Sequence, residues 1–207
     1  LDDGRVLIAG GGTAFSSAGE DELALDDAMI FDPAGESVGD FLDVVARMAT
    51  PRFGHAAVLV GSKVIIIGGA VYPTASPVEE FSPGNETFAS HTVTGSVNLF
   101  FHGAALIPLR PDEILIAGGA FFDGTDSLNF PFEENVRIYS VSNSEAQEGP
   151  SMETPRLMHS IIPLGNDRLL LAGGFTDWAS TASQSVQEFD PSTSDFSVPS
   201  GSSGDTA

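Results

Sequence analysis

His55, His102 and His159 each stand at the head of an apolar stretch, HAAVLV, HGAALIPL and HSIIPL. Three imidazoles brought to one axis would be a metal-ligand set. Zinc holds its nitrogens at about 2.0–2.1 Å, and one position repeated on separate elements is too widely spaced for that. Repetition already explains the number, so the expected role is structural, an imidazole meeting backbone groups where a strand begins. Arg52 and Arg156 lie three residues ahead of two of these histidines, in PRFGH and PRLMH. A forked guanidinium can hold a carboxylate or sulfate on a loop. Placed at a repeated position it also serves as a tie between elements, the role favoured here. Arg47 falls in the same kind of connection.

Carboxylates cluster twice. GTAFSSAGEDELALDDA carries Glu20, Asp21, Glu22, Asp26 and Asp27, and FFDGTDSLNFPFEEN carries Asp123, Asp126, Glu133 and Glu134. Calcium takes six to eight oxygens, and either stretch could supply them. Neither has EF-hand spacing, so solvated acidic loops are the expectation, with calcium the cofactor they would accept. Trp178, the single tryptophan, sits in FTDWAST, where an indole would make a platform for a sugar or peptide or fold back on the protein.

Other chemistries are closed. The chain has no cysteine, which removes disulfides, thiolate metal sites and cysteine nucleophiles. GGGT at 10–13 lacks the lysine of a phosphate loop, and neither G-x-S-x-G nor HExxH occurs. Asn85-Glu86-Thr87 is a glycosylation sequon between two expected strands. Eight basic residues against 29 acidic ones give a net charge of −21. That argues against nucleic acid and anionic membranes, which need a basic patch. No run approaches the ~20 apolar residues of a membrane helix. An acid-rich surface with one lysine suits an extracellular, cell-surface or periplasmic setting, although plain solubility explains it as well.

The elements that must position these residues follow from a repeat. RVLIAGGG (5–12), KVIIIGGA (63–70), EILIAGGA (113–120) and RLLLAGGF (168–175) place glycine pairs at Gly10-Gly11, Gly68-Gly69, Gly118-Gly119 and Gly173-Gly174. Successive pairs are 58, 50 and 55 residues apart, a period that means a solenoid, propeller or array. Each apolar run is expected to be a strand b covered on both faces. The glycines end it where backbones crowd or φ turns positive. A strand a, beginning at the histidine, precedes three of the runs. A strand c follows, closing on Phe31, Phe81, Tyr139 or Phe189. A weaker strand d comes last, with Val38, Phe88, Ala146 and Phe196 at its matching position.

Radial four-stranded meanders make a β-propeller. PRFGHAAVLV…KVIIIGG…VEEFSP and PRLMHSIIPL…RLLLAGG…VQEFDP resemble the Kelch repeat, and the resemblance covers nearly the whole chain. It implies an all-β propeller with blades at about 1–46, 51–93, 100–150 and 155–199, followed by a polar tail at 200–207. The third unit has Asn98-Leu99 in place of Pro-Arg, strand d lacks the usual tryptophan, and the first blade lacks its innermost strand. The expectation is a propeller that is part of a longer chain or is completed by a second copy.

In such a meander the b–c and d–a connections share one face. The b–c connections are long, at 12–27, 70–77, 120–135 and 175–185, and long loops on a rigid scaffold carry function. Candidate ligand-binding residues there are Arg47, Arg52, Arg156, Asp123, Asp126 and Trp178. The expected function is non-catalytic: a binding or scaffold module for a protein or carbohydrate partner. The resemblance also reaches carbohydrate-active enzymes. Copper oxidases of the galactose oxidase type need a cysteine cross-linked to tyrosine, which these residues cannot supply. A sialic acid epimerase-like site shared with further blades is the alternative.

Overall fold

The computed structural model describes residues 1–12, 24–35, 39–44, 46–69, 78–121, 131–177 and 181–199. Among them every regular element is a strand. No helix is long and apolar enough to cross a membrane. The chain divides into two compact units, Leu1–Thr92 and Val93–Ala207.

The first unit holds two antiparallel sheets. β1 (Val6–Ala9), β2 (Ala28–Asp32) and β3 (Asp40–Val44) form one, in that order. β4 (Ala56–Val60), β5 (Lys63–Ile67), β6 (Val78–Ser82) and β7 (Thr87–His91) form the other, again a simple meander. Val64, Ile66 and Phe81 of the second sheet pack with Ala28, Ile30 and Val44 of the first, and Leu7 and Ala9 join them.

The second unit repeats the plan. β9 (Gly103–Leu106), β10 (Glu113–Ala117), β12 (Asn135–Ser140) and β13 (Glu145–Ser151) make one four-stranded antiparallel sheet. β14 (Ser160–Pro163), β15 (Leu169–Ala172), β16 (Val186–Asp190) and β17 (Asp195–Ser197) make the other. β8 (Leu99–Phe100) and β11 (Ala120–Phe121) add a short two-stranded ladder that no apolar pattern announced. Leu115, Ala117 and Val136 pack with Leu169, Leu171 and Phe189.

The expected strands are present, each strand a starting one residue after its histidine. Strand b is sealed on both faces only in part. Val64 to Ile67 and Ile114 to Ala117 are all buried, each worth about 1.5–3 kcal/mol for the larger side chains. In β1 and β15 burial alternates instead, and Val6 and Ile8 stay 50% and 43% exposed. One side of the first and of the last sheet therefore lies open. The strand-d matches hold at Phe81↔Phe88, Tyr139↔Ala146 and Phe189↔Phe196. In the first sheet the residue opposite Phe31 is Phe41, not Val38, because the c–d connection there is longer. Val38 itself lies outside the described residues.

Candidate functional site

The repeated polar residues converge on the contacts between sheets, and the glycine pairs explain the convergence. Gly11 N–H donates to the Arg52 carbonyl at 2.8 Å, and Gly119 N–H donates to the Arg156 carbonyl at 2.7 Å. One sheet is thus stitched to the segment that opens the next. In the first and third pairs the first glycine lies against that same segment. A Cβ on Gly10 would come within 2.7 Å of the Arg52 oxygen and 3.0 Å of His55 Cε1. A Cβ on Gly118 would press into the Arg156 oxygen and lie 2.7 Å from His159 Cε1. In the three pairs other than Gly10-Gly11 the second glycine faces its own repeat: a Cβ on Gly174 would meet His159 Cβ at 2.9 Å, one on Gly119 His102 Cβ at 2.8 Å, and one on Gly69 His55 Cβ at 3.1 Å. All eight glycines have positive φ. At Gly118-Gly119 both close approaches fall in one pair, and all eight positions take a backbone conformation that L side chains rarely adopt.

Arg52 and Arg156 have no exposed surface. Arg52 donates to the Gly68 carbonyl at 2.8 Å and to Glu79 at 2.6 Å. Glu79, equally buried, also accepts from the backbone N–H of Ala49 at 2.7 Å and of Thr50 at 3.3 Å. Burial pulls the Arg52 guanidinium below its usual value, and the Glu79 charge opposes the shift. In the fourth repeat Arg156 donates to the carbonyls of Gly173 at 3.3 Å and Ser185 at 3.1 Å and to the Ser185 hydroxyl at 2.8 Å. Gln187 stands where Glu79 does and accepts from Glu153 N–H at 3.1 Å.

The sequence reading missed the strand-c partners Glu79 and Gln187, and also Met48 and Met152. Both methionines are buried, and their N–H groups donate to Asp26 and Glu134 carbonyls at 2.8 and 2.9 Å. The signal was available: MATPR and METPR agree at four of five positions, and VEEF and VQEF each carry a polar residue on the inward register of strand c.

The histidines complete the joint. His102 and His159 are 6% and 8% exposed. Burial first, then the Arg156 charge and His102, push His159 down to about 3. Burial and the Arg52 charge push His55 down to about 4, against a hydrogen bond with the Ala9 backbone. His55 thus makes the expected backbone contact. His159 instead works as a neutral spacer, neither ring nitrogen finding a hydrogen-bond partner among the described residues. Among those residues no group of three or more histidines and carboxylates is arranged to hold a metal ion.

Of the remaining candidates, Arg47 is exposed and pairs with Asp26 at 2.5 Å, which joins a d–a to a b–c connection as the meander requires. That carboxylate raises the guanidinium above its ordinary value. Trp178, Asp123 and Asp126 lie outside the described residues, as do Glu20, Asp21 and Glu22. The ends of the Trp178 loop are pinned: Thr176 N–H donates to the Thr181 carbonyl at 3.0 Å, and Thr181 N–H donates to Asp177 at 2.9 Å. An open cleft of about 310 Å³ lies between the chain start, the β4–β5 turn and the β6–β7 turn, with Asp2, Asp3 and Lys63 on its walls. It belongs to the a–b and c–d turns, not to the long connections. Neither a protein-family model nor a curated protein matches the chain.

Proposed function

We propose that this chain is a set of Kelch-type propeller blades acting as a non-catalytic binding or scaffold module. Its b–c and d–a connections would meet a protein or carbohydrate partner outside the cell, at its surface or in a periplasm. One observation carries the reading: the arginines and histidines that recur with the repeat, together with the single Glu79, are buried or half-buried in the joints where one sheet meets the segment that opens the next. Repetition here serves the scaffold, and the long connections that vary between repeats are left to carry specificity. A net charge of −21 sets nucleic acid aside as a partner. The reading needs no cofactor, and a calcium titration followed by thermal melting tests whether the acidic loops take one.

The decisive experiment is a glycan array and a panel of extracellular protein domains probed with the chain and with a Trp178→Ala variant. Saturable binding that the variant loses supports the proposal. Binding to neither class of probe would count against it. Interconversion of N-acylated amino sugars by the chain would establish the carbohydrate-active alternative instead.

A further inference from the structure

Asn85-Glu86-Thr87 lies in the turn between β6 and β7, where Ser82 and Thr87 form the last strand pair. Two other repeats make a turn of the same length, closed by Ser140 and Glu145 and by Asp190 and Asp195. All three put positive φ at the same place, 54° at Glu86, 51° at Ser144 and 55° at Ser194. The residue before it is Asn85 in one, Asn143 in the next and Thr193 in the last. The turn itself therefore does not demand asparagine.

Where asparagine does serve the turn, its amide nitrogen is used. Asn143 Nδ2 donates to Ser140 Oγ at 3.0 Å. Ser82 holds the place of Ser140, yet Asn85 is turned toward Thr87 instead. Its Oδ1 accepts from the Thr87 hydroxyl at 2.8 Å, and its Nδ2 meets no acceptor among the described residues. Asn85 and Thr87 are both exposed, and a Cβ added at the adjoining Gly84 would meet nothing within 4 Å. The amide nitrogen thus faces solvent while the hydroxyl two residues on holds the carbonyl oxygen. An exposed asparagine with serine or threonine two residues later, and no proline between, is an acceptor for N-linked sugar. No other asparagine of the chain has that neighbour; Asn143 has Glu145 there.

We propose that Asn85 is a modification site that carries an N-linked oligosaccharide. The donor is an oligosaccharide joined through pyrophosphate to a membrane lipid. Asn85 Nδ2 bonds to the anomeric carbon of the first sugar as that carbon's bond to the pyrophosphate oxygen breaks. The lipid pyrophosphate leaves with the electron pair, and one amide proton passes to a base of the transferase. The inference rests on the extracellular placement proposed above and not on the binding partner. In this sheet the c–d turn lies at the end away from the b–c connection, so a glycan there leaves the proposed binding connections clear. β7 is also the edge strand of its sheet, and a glycan at its start would hinder pairing with a foreign strand.

Peptide mapping by mass spectrometry tests the proposal on the chain isolated from its own source. The peptide bearing Asn85 is expected to carry a glycan that peptide:N-glycanase removes, turning the side chain into a carboxylate, while Asn143 stays unmodified. The chain is then secreted from eukaryotic cells behind a cleaved leader as wild type, Thr87→Ser, Thr87→Ala and Asn85→Gln, with circular dichroism to confirm folding. Wild type and Thr87→Ser should carry the glycan, and Thr87→Ala and Asn85→Gln should lose it. A bare Asn85 in the chain recovered outside the cells of its source would overturn the proposal and leave the binding-module reading standing. A bare Asn85 in a chain found only inside those cells would overturn the proposal and the extracellular placement together. A secreted wild type without glycan, or a Thr87→Ala variant modified like the wild type, would overturn it as well.

Discussion

Gly118 and Gly173 hold the same place in two repeats and share a positive φ of 63° and 73°, yet their surroundings differ. A Cβ on Gly173 would meet nothing within 4 Å, so Gly173→Ala should cost only the backbone strain of an L residue at positive φ, about 1–2 kcal/mol. Gly118→Ala adds a collision with the Arg156 carbonyl and His159 Cε1, and should cost at least about 1 kcal/mol more, read from urea midpoints at unchanged m. His159 gives the residue scale a pH signature. Burial pushes the folded ring down to about 3, against 6.5 for the ring in the unfolded chain. Between those values the unfolded chain binds a proton that the folded chain refuses. This contribution is therefore fully present above pH 6.5 and is lost as pH falls toward 3, at about 1.4 kcal/mol per pH unit. Because 29 carboxylates titrate in the same range, the check is a difference: stability of wild type minus His159→Gln should fall with acidification. A flat difference would mean the ring is not held neutral.

Among the elements, the apolar strands and the glycine stops were readable because burial and positive φ leave direct marks on residue type. What the pattern hid was which face had a neighbour. VLIA in β1 looks as buried as VIII in β5, yet Ile8 is 43% exposed and Ile66 is not exposed at all. Ile66→Ala should therefore cost about 2–5 kcal/mol, and Ile8→Ala under about 0.5 kcal/mol, compared by denaturation. Glu79 was hidden for a different reason. The polar residue that recurs at its place as Gln187 was the one trace of it, because Met29 and Arg137 hold the same position in the other two repeats. Its partners are nonlocal, reaching from β6 to the 49–52 connection. Removing one half of a buried pair strands the other, so Glu79→Ala should destabilise by about 3–5 kcal/mol. Glu79→Gln, which places there the residue type that the fourth repeat carries as Gln187, should cost clearly less when the two are measured side by side. The acidic and tryptophan loops had composition to offer but no periodicity, and Trp178, Asp123 and Asp126 stay candidates on composition alone.

At the scale of the whole chain, each unit contains one complete sheet-to-sheet contact, and each contact is made from the same parts. Glycine N–H groups donate to a neighbouring carbonyl, buried arginines hold the strand ends, and histidines fill the space above the first glycine. The residues whose types first invited a catalytic reading are thus the ones that set the geometry of the scaffold. Amide hydrogen exchange at Gly11 and Gly119 tests this most directly, since their N–H groups cross from one sheet to the segment that opens the next. If the joints hold each unit together, both amides should exchange only through global unfolding of their unit, as slowly as the interior amides of β5 and β10. Fast exchange at Gly11 and Gly119 while β5 and β10 remain protected would contradict the central claim, because the sheets would then be held without the stitches that the repeat encodes.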